Sequence, residues 1–235
     1  MTFDTSNIIL APKRSLPVFL LLDVSESMDG EKIQSLNKAV RDMLETFRDT
    51  EDDYFKIDVI AITFGHGVKV HQALTNDGEI KWDDLSADGG GRAPLGAALK
   101  LAKTMIGYNV PHLWGVMPIV VLVSNGHPTG DWKRSMDEFI GEGASARCDR
   151  LAMAIGADAD EAMLGHFIEA GRYKTLLYAE DAKRLRELFN LFPRPERSCV
   201  RRERVQSQNL PDTEPPGNWN DIETCEEKQN EEAYF

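Results

Sequence analysis

The stretch LPVFLLLDVSESMDG (Leu16–Gly30) decides how the rest of the chain is read. Leu16 to Leu22 is a short, continuously apolar segment, the pattern of a strand buried on both faces. It is too short to span a bilayer, because Asp23 ends it. Val24-Ser25-Glu26-Ser27 then follows as a polar loop that places oxygen-bearing side chains on alternate residues. Past Gly30 the period changes. Ile33, Leu36, Val40, Met43, Leu44 and Phe47 recur at spacings of three and four, and acidic Asp29 and Glu31 stand where a helix dipole favours them.

Working outward, Phe55–Phe64 reads as a second strand and Gly67–Leu74 as a third, paired with it as a hairpin across Gly65-His66-Gly67. Three glycines (Gly89–Gly91) form a loop, and Pro94 falls where a first helical turn tolerates it. Leu95, Leu99, Ala102 and Ile106 continue that helix on one face. Met117–Ser124 is the most apolar strand of the chain. Helices are expected at Asp131–Ile140, Asp160–Ala170 and Asp181–Phe192, and strands at Cys148–Ile155 and Lys174–Tyr178. Apolar strands alternating with amphipathic helices predict an α/β fold: a doubly wound, mainly parallel sheet with helices on both faces. The organisation expected is an N-terminal extension (1–14), one domain (15–192) and a flexible charged tail (193–235).

Charge and cysteine usage narrow the function classes. The chain carries 27 Lys+Arg against 39 Asp+Glu, a net charge of −12. Duplex nucleic acid and anionic membranes are held largely by Lys and Arg on phosphates, so neither is expected as a partner. The acidity is shared. Arg194–Arg204 carries five Arg and two Glu, whereas Val205–Phe235 carries eight acidic residues and one Lys. Cys148, Cys199 and Cys225 are far apart, with no CxxC pairing, and suit a reducing cytosol rather than a disulfide framework or zinc site. The N-terminus does not read as a signal peptide, and the expected location is cytoplasmic.

In an open parallel sheet, ligands bind at the carboxyl ends of the strands. Three loops could line such a crevice: Asp23–Ser27, Gly89–Pro94, and Ser124-Asn125-Gly126-His127-Pro128-Thr129. A carboxylate and two hydroxyls at i, i+2 and i+4 can converge from one backbone curve, and hard oxygen ligands of that kind suit Mg²⁺. Other chemistries lack their signatures. The glycine run is followed by no GKS or GKT, and no GxGxxG occurs. A haloacid dehalogenase type of phosphatase wants an Asp where Ser25 stands, and neither Ser25 nor Ser27 sits in a GxSxG elbow. His127 is placed to act as a base, although an isolated loop His more often only faces solvent. Trp82 and Trp132 flank the upper loops, either as a rim for a partner or as packing.

DVSES resembles the DxSxS signature of von Willebrand factor A (vWA) domains, and the likeness runs over roughly residues 16–192. LPVFLLLDVSESMDGEKI, VIAITFG, APLGAALKLA and VVLVSNGHPTGDW are most similar to the TerY-like branch, linked to tellurium resistance and stress response. The resemblance implies a metal-ion-dependent adhesion site built on Asp23, Ser25 and Ser27. It also implies two departures: Ala93 stands at the position of the family's Thr, and Asn125 at that of its second Asp. With one hydroxyl and one charge lost, Mg²⁺ binding is expected to be weakened or absent. Arg92, beside the lost Thr, could pair with Asp23 in the metal's place or point into solvent. By the same resemblance the chain is a non-enzymatic interaction module that meets protein partners, with a kinase and a metal-dependent Ser/Thr protein phosphatase as candidates. Arg92, Glu26, His127 and Thr129 are the expected partner-binding residues. Only two cysteines follow Phe192, which departs from relatives with a zinc-ribbon extension. Two other readings stay open: a metal-dependent hydrolase or phosphatase using Asp23 and His127, and a metal-independent architectural scaffold.

Overall fold

In the computed structural model, which describes residues 14–50, 55–72, 82–87, 90, 92–109, 117–181, 184, 187 and 188, the apolar run becomes strand β1 (Arg14–Asp23). Every residue from Val18 to Asp23 is fully buried. The cause is its central position: β1 pairs in parallel with β2 (Phe55–Phe64) on one side and β4 (Ile119–Ser124) on the other. Strand β3 (Val68–Gln72) folds back on β2 as the expected antiparallel hairpin. Strands β5 (Asp149–Ala154) and β6 (Leu176–Tyr178) extend the sheet in parallel beyond β4. The order β3-β2-β1-β4-β5-β6 reverses direction between β1 and β4, which makes that junction the topological switch point.

The period-2 alternation of the strands divides the core into two layers. Leu16, Val18, Leu20 and Leu22 of β1 pack with Ile57, Val59, Val121 and Val123 beneath helix α1 (Glu31–Thr50). Ile33, Leu36, Val40, Met43, Leu44 and Phe47 are the buried stripe of that helix, as their spacing predicts. The alternate residues, among them Phe19, Leu21, Ile60, Ile62, Val120 and Leu122, are equally buried toward the opposite layer. That layer holds α2 (Leu95–Asn109), α3 (Trp132–Gly141) and α4 (Glu161–Glu169). Phe139 of α3 and Phe167 of α4 meet there with ring centres 6.1 Å apart. No helix among the described residues is long and apolar enough to cross a membrane.

Most expected elements appear within one to three residues of their predicted ends. Two 3₁₀ turns, Glu26–Met28 and Ser145–Arg147, carry no periodic signal and were not expected. Trp82 packs against the core under the α1 layer, with His71 edge-on at 4.9 Å, so its role is packing. Of the expected helix at 181–192, residues 184, 187 and 188 are helical and most of the rest lies outside the described residues. The same holds for the extension up to residue 13, for Gly89 and Gly91, and for the tail at 193–235.

Arg150 is the departure with the largest energetic consequence. It is a charged residue inside strand β5 with 0% exposure, and its described hydrogen bonds all run to backbone carbonyls. Its Nε donates to the Phe167 carbonyl (3.0 Å), and Nη1 donates to the carbonyls of Ser145, Ala146 and Cys148 at 3.2–3.4 Å. One guanidinium therefore ties the 145–147 turn and the end of α4 to the sheet, a task that suits its fixed fork of donors. The neighbouring Cys148 thiol is pushed up to about 12 by burial, which leaves it protonated and inert at neutral pH. Arg150→Ala would strand these carbonyls in an apolar setting and is expected to cost about 3 kcal/mol. Urea denaturation checks this, and Arg150→Lys, a point charge on a flexible stem, should recover only part of the loss.

Candidate functional site

The parallel register that pairs Leu22 with Val123 brings the next residues, Asp23 and Ser124, side by side at the switch point. Asp23 is fully buried there. Its Oδ1 accepts from the backbone N–H of Ser25 at 3.0 Å, and its Oδ2 accepts from the Ser124 hydroxyl at 2.5 Å. Burial pushes the Asp23 carboxyl above its usual range, and the hydrogen bonds from Ser124 and Ser25 work against that rise. Ser124 Oγ in turn accepts from the Gly126 N–H at 2.9 Å. A chain of three groups thus joins the ends of the two central strands.

The remaining loop residues lock onto this pair. Ser25 Oγ and Ser27 Oγ lie 3.0 Å apart, within hydrogen-bond distance of one another. Asn125, also fully buried, donates from Nδ2 to the Ser27 carbonyl at 3.3 Å, and its Oδ1 accepts from the His127 N–H at 3.4 Å. Its own carbonyl accepts from Asp160 N–H at 2.9 Å, and Asp160 caps α4 by accepting from the Ala162 and Met163 N–H groups. Ala93 and Thr129 are tied by two bonds: Ala93 N–H donates to Thr129 Oγ1 (3.0 Å), and Thr129 N–H donates to the Ala93 carbonyl (2.9 Å).

Above this floor lies an open crevice of about 330 Å³ lined by Ser25, Glu26, Ser27, Arg92, Ala93, His127 and Thr129. The structure therefore brings all the expected partner-binding residues to one rim. Asp23 and Asn125 lie beneath it as support. Arg92 is exposed on the rim, and the suggested pairing with Asp23 is replaced by the Ser124 and Ser25 contacts. His127 stands on the rim of the crevice, exposed. Its ring Nε2 meets the Asp158 carbonyl at 3.0 Å, which requires that nitrogen to carry the proton. A larger crevice of about 730 Å³ lies between α1, β5, β6 and the start of α4, with Asp29, Glu31, Glu161 and Glu180 among its lining residues.

The donors fit a hard cation in kind but not in supply. Two hydroxyls 3.0 Å apart match the edge of an octahedron around Mg²⁺, about 2.9 Å. However, the floor of the site holds a single carboxylate, Asp23, with both of its oxygens engaged; Glu26 stands exposed on the rim, and the Asn125 side-chain oxygen faces a backbone N–H. Ala93 contributes no oxygen beyond its own carbonyl, which is bonded to Thr129. Among the described residues no cluster of three or more His, Cys, Asp or Glu could hold a metal elsewhere. The residues present do not fit a divalent ion as the loops stand.

A family model, the von Willebrand factor type A domain, matches residues 18–191, and the chain belongs to that family. Solved structures share the fold. An aerotolerance-related membrane protein from Bacteroides fragilis matches with a TM-score of 0.54 at 15% identity, over 74% of this chain and 96% of that one. The manganese-loaded TRAP protein of Plasmodium vivax matches with a TM-score of 0.53 at 15% identity, over 73% and 72%. Proximal thread matrix protein 1 from the mussel byssus, with a zinc-occupied MIDAS motif, matches with a TM-score of 0.54 at 18% identity. That match covers 76% of this chain but only 47% of the mussel chain. No curated protein matches the sequence.

Sequence reasoning placed Ser124 and Gly126 in a loop of the crevice without giving either a role, and it did not connect Asp160 to the site. Ser124 could have been found from register alone, since two parallel strands that end together place their last residues in contact. Gly126 adopts φ +81°, and a Cβ there would come within 2.8–3.0 Å of Asp160. Gly126→Ala is therefore expected to destabilise the fold by about 2 kcal/mol. Thermal melts check the size of the loss, and the amide exchange of residues 124–127 should rise with it.

Proposed function

We propose that this chain is a non-enzymatic protein-recognition module that reads a partner with the crevice at the switch point. The observation that carries this reading is the composition of the rim. Glu26 and Arg92 bring exposed charges of opposite sign to the rim beside His127 and Thr129, while Asp23 is enclosed and His127 hydrogen-bonds the Asp158 carbonyl. A crevice with fixed walls, rim charges of both signs and no nucleophile–base pair suits orientation-specific docking more than bond breaking. VWA domains commonly mediate protein interactions, and membership of that family supports the same reading.

The finer assignment rests on the segments shared with the TerY-like branch. We place the chain in the cytoplasm as an adaptor or regulator in a bacterial stress or tellurium-resistance phosphorylation system. A kinase and a metal-dependent Ser/Thr protein phosphatase are the partners this implies. The hydrolase reading has no support in the geometry of His127, and the scaffold reading differs by putting recognition on the helices instead of the loops.

Co-purification from the native host with the full chain tests the proposal. Arg92→Glu reverses an exposed rim charge, so the melting temperature should stay within about 1 °C of the wild type. Capture of the partner should fall about tenfold or more, the loss expected when a rim pair becomes repulsive. Undiminished capture by Arg92→Glu, together with loss on substituting an exposed α1 residue, would establish the scaffold reading. Hydrolysis of a generic phosphate ester that disappears in Asp23→Ala would establish the hydrolase.

A further inference from the structure

We infer that this crevice holds its working shape without a divalent ion, because the Ser124 hydroxyl supplies the cross-strand tie that a cation would otherwise provide. The inference stands apart from the choice of partner. It concerns what holds the loops, and it rests on where each donor is directed.

The problem posed by the fold is a carboxylate enclosed at the end of the central strand. An enclosed carboxylate needs either a cation or hydrogen-bond donors on both oxygens. Here the donors come from the chain itself. Ser25 N–H takes Oδ1 at 3.0 Å and the Ser124 hydroxyl takes Oδ2 at 2.5 Å. Ser124 Oγ is itself held by Gly126 N–H at 2.9 Å, so its proton is directed at Asp23 and its lone pair at the loop. One hydroxyl therefore ties the end of β1 to the loop after β4, the two parts that a shared cation would draw together.

The other donors are settled in the same way. Ser25 and Ser27 face each other at 3.0 Å, and the Asn125 side chain bridges the Ser27 carbonyl and the His127 N–H. To bind a divalent ion at its floor, the site would have to break several of these bonds and hold two positive charges against the one floor carboxylate, with Glu26 exposed on the rim. Mg²⁺ also parts with its own water reluctantly. Asn125 in place of an acid and Ala93 in place of a hydroxyl are thus consistent changes: each removes a cation ligand, and each position is stabilised by bonds to a neighbouring loop. A site with Asp at 125 would be forced to recruit a cation, whereas this one is complete as it folds.

The test uses the full chain with Mn²⁺ as the probe, read by thermal melting and by electron paramagnetic resonance of free Mn²⁺. A divalent ion at about a hundred times its Kd would raise Tm by roughly 5–10 °C in a chain of this size. The wild type is expected to take up no Mn²⁺ at this site and to melt unchanged with Mn²⁺ or EDTA. The double variant Ala93→Thr/Asn125→Asp should bind one Mn²⁺ and gain a chelator-reversible rise in Tm. Ser124→Ala, which frees Asp23 Oδ2, should melt lower than the wild type and become responsive to Mn²⁺, a change that loss of an ordinary structural hydroxyl would not produce. Stoichiometric Mn²⁺ on the wild type, with a fall in Tm on adding EDTA, would overturn the inference. A Ser124→Ala chain that melts with the wild type and ignores Mn²⁺ would overturn the part assigned to Ser124. A silent double variant would overturn the attribution to residues 93 and 125.

Discussion

The fold depends on satisfying one buried carboxylate. Asp23 ends a strand whose last six residues have no exposure, and the parallel sheet gives that carboxylate no route to water. Unpaired, a charge so placed costs several kcal/mol. The chain meets the demand with one backbone N–H and one hydroxyl, and the position of everything above the sheet follows from those two bonds. Ser25 N–H curls the Asp23–Ser27 loop back over the strand end. Ser124 fixes the start of the loop after β4.

From that centre the constraint spreads outward through backbone groups. Asn125 is held from both sides, by Ser27 and by Asp160, so the second loop is pinned to the first and to the N-terminus of α4. Gly126 permits the sharp turn because a side chain there would collide with Asp160. The third loop joins through the Ala93–Thr129 pair of bonds. The result is a crevice whose floor is rigid and whose rim is exposed, which is how a fold with a settled core presents a recognition surface. Rigid support also explains why Arg92 can remain exposed without disturbing the strands below.

Much of this was legible in the sequence, for identifiable reasons. Continuous apolar runs at Leu16–Leu22 and Met117–Ser124 could only be central strands, and the α1 stripe from Ile33 to Phe47 has the spacing of a helix on a sheet. DVSES, PLGAAL and the segment after VVLVS located the three loops of the crevice in order. Less legible were features that depend on register and on charge in unexpected places. Ser124 closes an apolar strand and gives no motif, although it sits beside Asp23. Arg150 interrupts a strand that reads as apolar because the carbonyls it serves come from turns the sequence does not announce. Of the two placements open to Arg92, pairing with Asp23 or facing solvent, the structure shows the exposed one, for a related reason: proximity in a family pattern does not say which group reaches a buried oxygen first. A hydroxyl one strand away does so at lower desolvation cost than a guanidinium on the rim.

Asp23 finds both of its hydrogen-bond donors within the chain. The most direct measurement is an anomalous difference map from crystals grown in excess Mn²⁺. No peak is expected between the Ser25 and Ser27 hydroxyls, with Ser124 Oγ still within hydrogen-bond distance of Asp23. A strong peak at that point, with Ser124 drawn away from the carboxylate, would contradict it.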